Sequence, residues 1–336
     1  MPLVFALAAA AAATSPGAAA CSPAAYAALT APKDTNEKPY VLSCSVTLKK
    51  GDNIPRRILL LGGEATGVQI DCNGGDVGYK GIVELKRGNG MKRLSPFDNP
   101  TIMIATKKKD DYWSTPSGIS IRRCNIHGNL RTSAVYYESL LSESRKPNFT
   151  RFLQKNAPHS IKVSDSSIIG YQHIPLYIGP GTTEFIFENS RISGNGEAAI
   201  YFDLESGKNI IKGNNFDIKT EREIVAVDGS ANNVISNNLF RLYRFDAIHL
   251  YRNCGESGII RHQSPSGNII YNNKFYSEDN NIKMVVVNSR TGKMGIDPAR
   301  SPKICDLDKG FKFGSSKNDD DEGKNNSIRG NKYYLL

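Results

Sequence analysis

Apolar residues recur through the middle of the chain at a spacing that no helix produces. Ile168, Ile192, Phe216 and Phe240 lie 24 residues apart, and each closes a short polar segment: Asp165-Ser-Ser-Ile168, Asn189-Ser-Arg-Ile192, Gly213-Asn-Asn-Phe216 and Asn237-Asn-Leu-Phe240. Related copies close at Phe275 and Tyr333. Short β-branched runs alternate with Asn and Gly between these points, without a 3.6-residue period, so each repeat is a set of strands and turns. A sustained period of this size marks a solenoid, in which each repeat buries its apolar side by stacking on the next. The pattern predicts an all-β chain wound as a single-stranded parallel β-helix of 24 residues per coil.

The same period aligns the strand that follows each closing residue. Adding 24 carries Leu176 to Ile200, Ile224 and Ile248, and carries Ile178 to Phe202, Ala226 and Leu250. All are apolar, and side chains alternate across a strand, so this parity is predicted to point inward. The opposite parity then faces out, as Tyr177, Tyr201, Val225 and His249 in one column and Gly179, Asp203, Val227 and Tyr251 in the next. Glu205, Glu223, Asp228 and Arg252 fall on the same strands or at their ends, with Arg261 and His262 just beyond. Asp203 and Asp228 are 25 apart, so they stack directly only if a bulge absorbs one residue. Asn214, Asn238, Asn273 and Asn331 each stand two places before a closing apolar residue. They are expected to form a scaffold ladder, because Asn tolerates left-handed backbone and stacked amides bond along the axis.

The N-x-I-x-x-N-x-F texture of these repeats resembles the right-handed parallel β-helix proteins of the pectin-lyase-like superfamily, over residues 55–336. The resemblance implies the right-handed winding. It also implies a range of activities: polysaccharide lyase, glycoside hydrolase, uronate epimerase or non-catalytic surface protein. Fold alone does not choose among them. The chain carries no Asn-Thr-Asp, Gly-His-Gly or Arg-Ile-Lys string of a polygalacturonase and no Asp-Pro-His-Asp of an alginate epimerase.

Charge narrows the partner. The formal net charge is +10, and a basic surface attracts acidic polymers. The basic residues are scattered, with short clusters at Arg56-Arg57, Lys107 to Lys109 and Arg122-Arg123, so they form no stripe suited to nucleic acid. An acidic polysaccharide fits better. Residues 3–13 are almost wholly apolar and Ala18 to Ala20 precede Cys21, which reads as a signal peptide over 1–20 and a secreted or periplasmic protein. Lipoprotein anchoring at Cys21 is the lesser alternative, since Ala18 stands where a lipobox usually has Leu. No later stretch is long enough to span a membrane. Six cysteines without a C-x-x-C suit disulfides, with Cys254–Cys305 the preferred pair and Cys21–Cys44 tying down the N-terminus.

The predicted organisation is a cap over 21–54, then a monomeric β-helix over 55–336, with insertions near 86–100, 130–159 and 289–326. A helix is expected within Tyr136 to Ser144. The outer face bearing Tyr177, Tyr201, Asp203, His249, Tyr251 and Arg252 is the candidate site, because tyrosines, carboxylates, a histidine and an arginine replace the usual Lys, Thr and Ser. Tyr177, Tyr251, Glu205, Glu223, Arg261 and His262 are read as substrate-binding there. The leading chemistry is lyase-type β-elimination on a uronate. His249 would be the base, Tyr201 or Tyr251 the acid, and Arg252 or calcium would neutralise the carboxylate. Hydrolysis would instead use Asp203 with Asp228, epimerisation would reuse the lyase groups, and a binding module would need only the aromatics and charges. Asp319 to Glu322 and Asp306 with Asp308 are weaker calcium candidates that lack a spaced loop. Trp113, the single tryptophan, is either a sugar platform or a packing residue.

Overall fold

A computed structural model describes residues 17–32, 38–81, 84–87, 90–93, 100–171, 173–253, 258–287 and 323–336, with backbone alone for 84–87 and 90–93. Among the described residues three long parallel sheets of nine, nine and eight strands run the length of the chain. The first sheet takes one strand from each turn of the chain: Tyr40–Val41, Ile58–Leu61, Ile102–Ala105, Leu130–Ser133, Leu176–Ile178, Ile200–Phe202, Val225–Asp228, Ile248–Tyr251 and Val285–Val287. The second runs from Val46–Thr47 to Ser327–Arg329 and the third from Asp76–Val77 to Lys332–Leu335. The chain visits the sheets in rotation, so it is a single-stranded right-handed parallel β-helix, the hand that parallel crossovers take. Ile186, Ile210 and Val234 pair in succession at the 24-residue step.

The stack is held by what fills its centre and its corners. Phe216, Phe240 and Phe275 stack with ring centroids 4.6 and 4.9 Å apart. At the corner between the second and third sheets the predicted ladder is present. Asn214 Nδ2 donates to Asn238 Oδ1, Asn238 Nδ2 to Asn273 Oδ1, and Asn273 Nδ2 to Asn331 Oδ1, each at 3.0 Å. Each accepting oxygen also takes a backbone N–H from the coil before. A second ladder, Asn209, Asn233, Asn268 and Asn326, stands where the second sheet begins and went unread in the sequence.

The inward columns differ from expectation in one coil. Ile200 pairs with Val225, a step of 25, and Val225 pairs with Ile248, a step of 23. The extra residue lies between Thr220 and Val225, because Gly196 and Thr220 still pair at 24. Glu221 and Arg222 both donate to the Glu197 carbonyl, two residues of this coil against one of the coil before, as in a bulge. Val225 and Val227 therefore join the core cluster, and Ala226 faces outward between Tyr201 and His249. Ile224, at the entrance to the strand, is in the same core as expected. Burial decides the slip: two valines fill a core layer that Ala226 would leave hollow.

Helix α1 (Pro23–Thr30) opens with Ser22 Oγ accepting from the Ala25 N–H at 3.2 Å, and buries Leu29. Cys21–Cys44 is formed as expected, and Cys72–Cys124 is a second disulfide. Cys254, Cys305 and the insertion near 289–326 lie outside the described residues, apart from 323–326. Leu130–Ser133 stays in the first sheet, so the insertion after it is a helical hairpin, α2 (Tyr137–Glu143) and α3 (Phe149–Lys155). The antiparallel hairpin Lys107–Lys109 with Tyr112–Ser114 leaves from the same corner. Ala134, Val135, Leu140, Phe149, Leu153, Ala157, Leu204 and Ile259 make a second, smaller core between these insertions and the body. No described helix is long and apolar enough to cross a membrane, and the two disulfides suit an oxidising compartment.

Candidate functional site

The outer face of the first sheet carries one continuous column: Arg131, Tyr177, Tyr201, Ala226 and His249. Tyr177 and Tyr201 stack with centroids 5.3 Å apart and planes at 4°. The Arg131 guanidinium lies 4.4 Å from the Tyr177 centroid and that of Arg222 lies 5.2 Å from Tyr201. Ala226 leaves room above Tyr201, and Arg222 reaches the ring from the turn before it. The result is an arginine–tyrosine–tyrosine–arginine stack, a geometry that a flat guanidinium favours. It occupies the ring faces that a sugar would need, so Tyr177 is not the open platform the sequence suggested.

The tyrosine hydroxyls point to two carboxylates at the strand ends. Tyr177 donates to Asp203 Oδ2 at 2.5 Å, and Tyr201 donates to Asp228 Oδ2. The bulge brings Phe202 beside Val227, and so Asp203 beside Asp228 on the next coil. Arg261 Nη1 bridges the pair, 3.1 Å from Asp203 Oδ1 and 2.7 Å from Asp228 Oδ2. Asp203 also accepts the Leu204 N–H, and Asp228 accepts both the N–H and the side-chain amide of Asn253 at 2.8 Å. Burial pushes the Asp228 carboxyl up to about 6. Arg261 opposes that rise, and the neighbouring Asp203 adds to it. Burial, with these carboxylates beside them, holds both tyrosine hydroxyls well above their ordinary range, so each is a neutral donor.

The remaining sequence-selected residues lie around this pair, and several are committed to the fold. Glu205 accepts from Thr150 Oγ1 at 2.5 Å and from the N–H groups of His262 and Gln263, which pins α3 and the 262–263 segment to the strand end. Burial raises its pKa. Arg252 Nη1 donates to the carbonyl of His262 at 3.1 Å. His262 Nε2 meets the Ser144 carbonyl at 2.7 Å, and its ring packs on Phe149. Tyr251 donates to Glu223 at 3.3 Å, and Glu223 lies 3.7 Å from Arg222. His249 packs edge-on against Tyr251, with centroids 5.0 Å apart. Asp228, His249 and Tyr251 are fully buried, whereas Asp203 and Tyr201 keep 6% and 7% exposure.

The face brings these side chains together with Ala226 and Asp228 where the period placed Val225 and Val227, and it is roofed by the insertions rather than open as a solvated groove. Arg131, Arg222 and Asn253 belong to it and were not selected from the sequence. Arg131 aligns with Tyr177 only across the α2–α3 insertion, and Arg222 and Asn253 sit in turns where the repeat carries no phase. Trp113 packs edge-to-face on Tyr136 and against the second core. Among the described residues no three His, Cys, Asp or Glu side chains converge as a metal site, and Asp306, Asp308 and Asp319 to Glu322 lie outside them.

No protein-family model and no curated protein matches the sequence. Among solved structures the chain is similar to an alginate lyase from a Paenibacillus species (12% identity, 89% of this chain, 92% of that one, TM-score 0.27). It is also similar to the Streptococcus pneumoniae surface protein and adhesin PfbA (13%, 89% and 88%, TM-score 0.33) and to the pectin methylesterase PemA from Erwinia chrysanthemi (13%, 93% and 85%, TM-score 0.29). Likenesses this distant carry no argument about chemistry.

Proposed function

We propose that this chain is an exported β-helix protein acting on an acidic polysaccharide, and that the Asp203–Asp228 pair cleaves it by hydrolysis. The observation that carries the proposal is the pair itself. The two oxygens bound to Arg261 Nη1 are at most 5.8 Å apart, the sum of the two bond lengths. That bound lies below the separation of about 6.5–9.5 Å used in single displacement and admits the roughly 5 to 5.5 Å at which carboxyls serve double displacement, one as nucleophile and one as acid. Asp228, held near 6, is the proton donor to the leaving oxygen. Asp203 is the nucleophile, its negative charge supported by Tyr177 and a backbone N–H. Arg261 occupies the gap, so substrate must displace it. Arg131 and Arg222, fixed at the two ends of the tyrosine stack, and the net charge of +10 favour a polyanion.

The β-elimination set is less well served. Arg252 is spent on backbone carbonyls, and Tyr201 is held as a weak acid. A panel of uronate, sulfated and neutral polymers separates the readings. New reducing ends without ultraviolet absorbance, reduced by about 10²- to 10⁴-fold in both Asp203→Asn and Asp228→Asn, is the expected result. A 4,5-unsaturated product would transfer the chemistry to His249 and the tyrosines. Tight binding without turnover would make the chain a surface-binding module.

A further inference from the structure

We infer that Lys108, Trp113 and Tyr136 form a separate subsite for one acidic sugar unit of a bound glycan. The antiparallel hairpin pairs Trp113 directly with Lys108, which places both side chains on one face, and the Lys108 ammonium lies 5.7 Å from the indole centroid. Lys107 and Lys109 turn to the other face, where both meet Glu64. Tyr136, the N-cap residue of α2, meets Trp113 at 5.3 Å and 72°, so two aromatic rings form the sides of a corner beside an exposed ammonium. Tyr136 keeps 55% exposure, unlike Tyr177 and Tyr201, whose faces are stacked against each other and against arginine.

With Lys108 over Trp113, the exposed Tyr136 ring offers C–H contact to a pyranose and the ammonium offers a charge-assisted bond to its carboxylate. A neutral sugar would gain only the first. Trp113 packs on the second core, which also includes Leu204, next to Asp203, and Ile259, two residues before Arg261. The occupant rests on the polysaccharide reading, but not on any cleavage chemistry.

Trp113 is the only tryptophan, so its emission reports this corner directly. The full-length protein is titrated with a galacturonate pentamer, a mannuronate pentamer and cellopentaose, with binding followed in parallel by calorimetry. The expected result is a saturable emission change with an acidic pentamer and none with cellopentaose. Tyr136→Ala and Lys108→Ala each raise Kd about tenfold or more, while Tyr112→Ala, on the opposite face of the same hairpin, leaves it unchanged. No emission change with either acidic pentamer overturns the subsite, whether or not the chain cleaves them. Calorimetric Kd values that are the same in all three variants also overturn it. An emission change without turnover leaves the subsite standing and removes only the hydrolytic reading.

Discussion

Asp228→Asn removes one titrating group while keeping its shape, and the structure fixes both the size and the sign of the effect. Asp228 is buried, and its carboxyl is held at about 6 against an ordinary 3.8. At roughly 1.4 kcal/mol for each pH unit, that difference is worth about 3 kcal/mol. A carboxyl whose folded pKa is raised binds its proton more tightly when folded. Its contribution is therefore present at acid pH and is lost as pH rises from about 4 to about 6. The other carboxylates titrate in both proteins and largely cancel, so wild-type stability minus variant stability should fall by ~3 kcal/mol between pH 3.5 and pH 7. Guanidinium denaturation followed by Trp113 emission and circular dichroism, repeated at half-unit pH steps, measures it. A flat difference, or one that rises with pH, would refute the reasoning. It would mean that Arg261, Tyr201 and Asn253 together outweigh the desolvation of Asp228. Its role as proton donor would then fall as well.

Two further outcomes test the scaffold. Asn238→Ala removes the acceptor of the Asn214 N–H and amide, and the donor to the Ile211 carbonyl and to Asn273. At about 1–3 kcal/mol per stranded buried group, equilibrium unfolding should show a loss of at least about 3 kcal/mol; a loss under about 1 kcal/mol would make the ladder incidental. Val227→Asp places a charge in the sealed core and should give no folded protein by circular dichroism, while Ala226→Ser next to it folds normally; the reverse outcome would restore the unbroken 24-residue register.

The parts of the fold that were legible in the sequence are those that repeat. Leu176, Ile200 and Ile248 announced the inward column, and Tyr177, Tyr201 and His249 the outward one, because stacking forces like residues to recur at the coil length. Asp203, Asp228 and Arg261 were picked out of the same face by their chemistry. Arg131 escaped because the helical insertion separates it from the coil it joins. Arg222 escaped because a turn residue has no periodic position, and it is seen only once Ala226 is known to leave space above Tyr201. A count of 24 puts Ala226 inward and Val225 and Val227 outward, because it cannot register a bulge whose extra residue is returned one coil later.

The sequence by itself determined the winding, its coil length, the Asn corner and the composition of one outer face, since each follows from local periodicity and side-chain alternation. Only the tertiary structure decided that this face is covered and its tyrosines are sandwiched between arginines. The same holds for Glu205, Arg252 and His262, which anchor the roof, and for the two aspartates that share one guanidinium. These depend on where residues distant in sequence fold back onto the strand ends, and burial under such a roof, which no repeat period encodes, sets the charge state of Asp228.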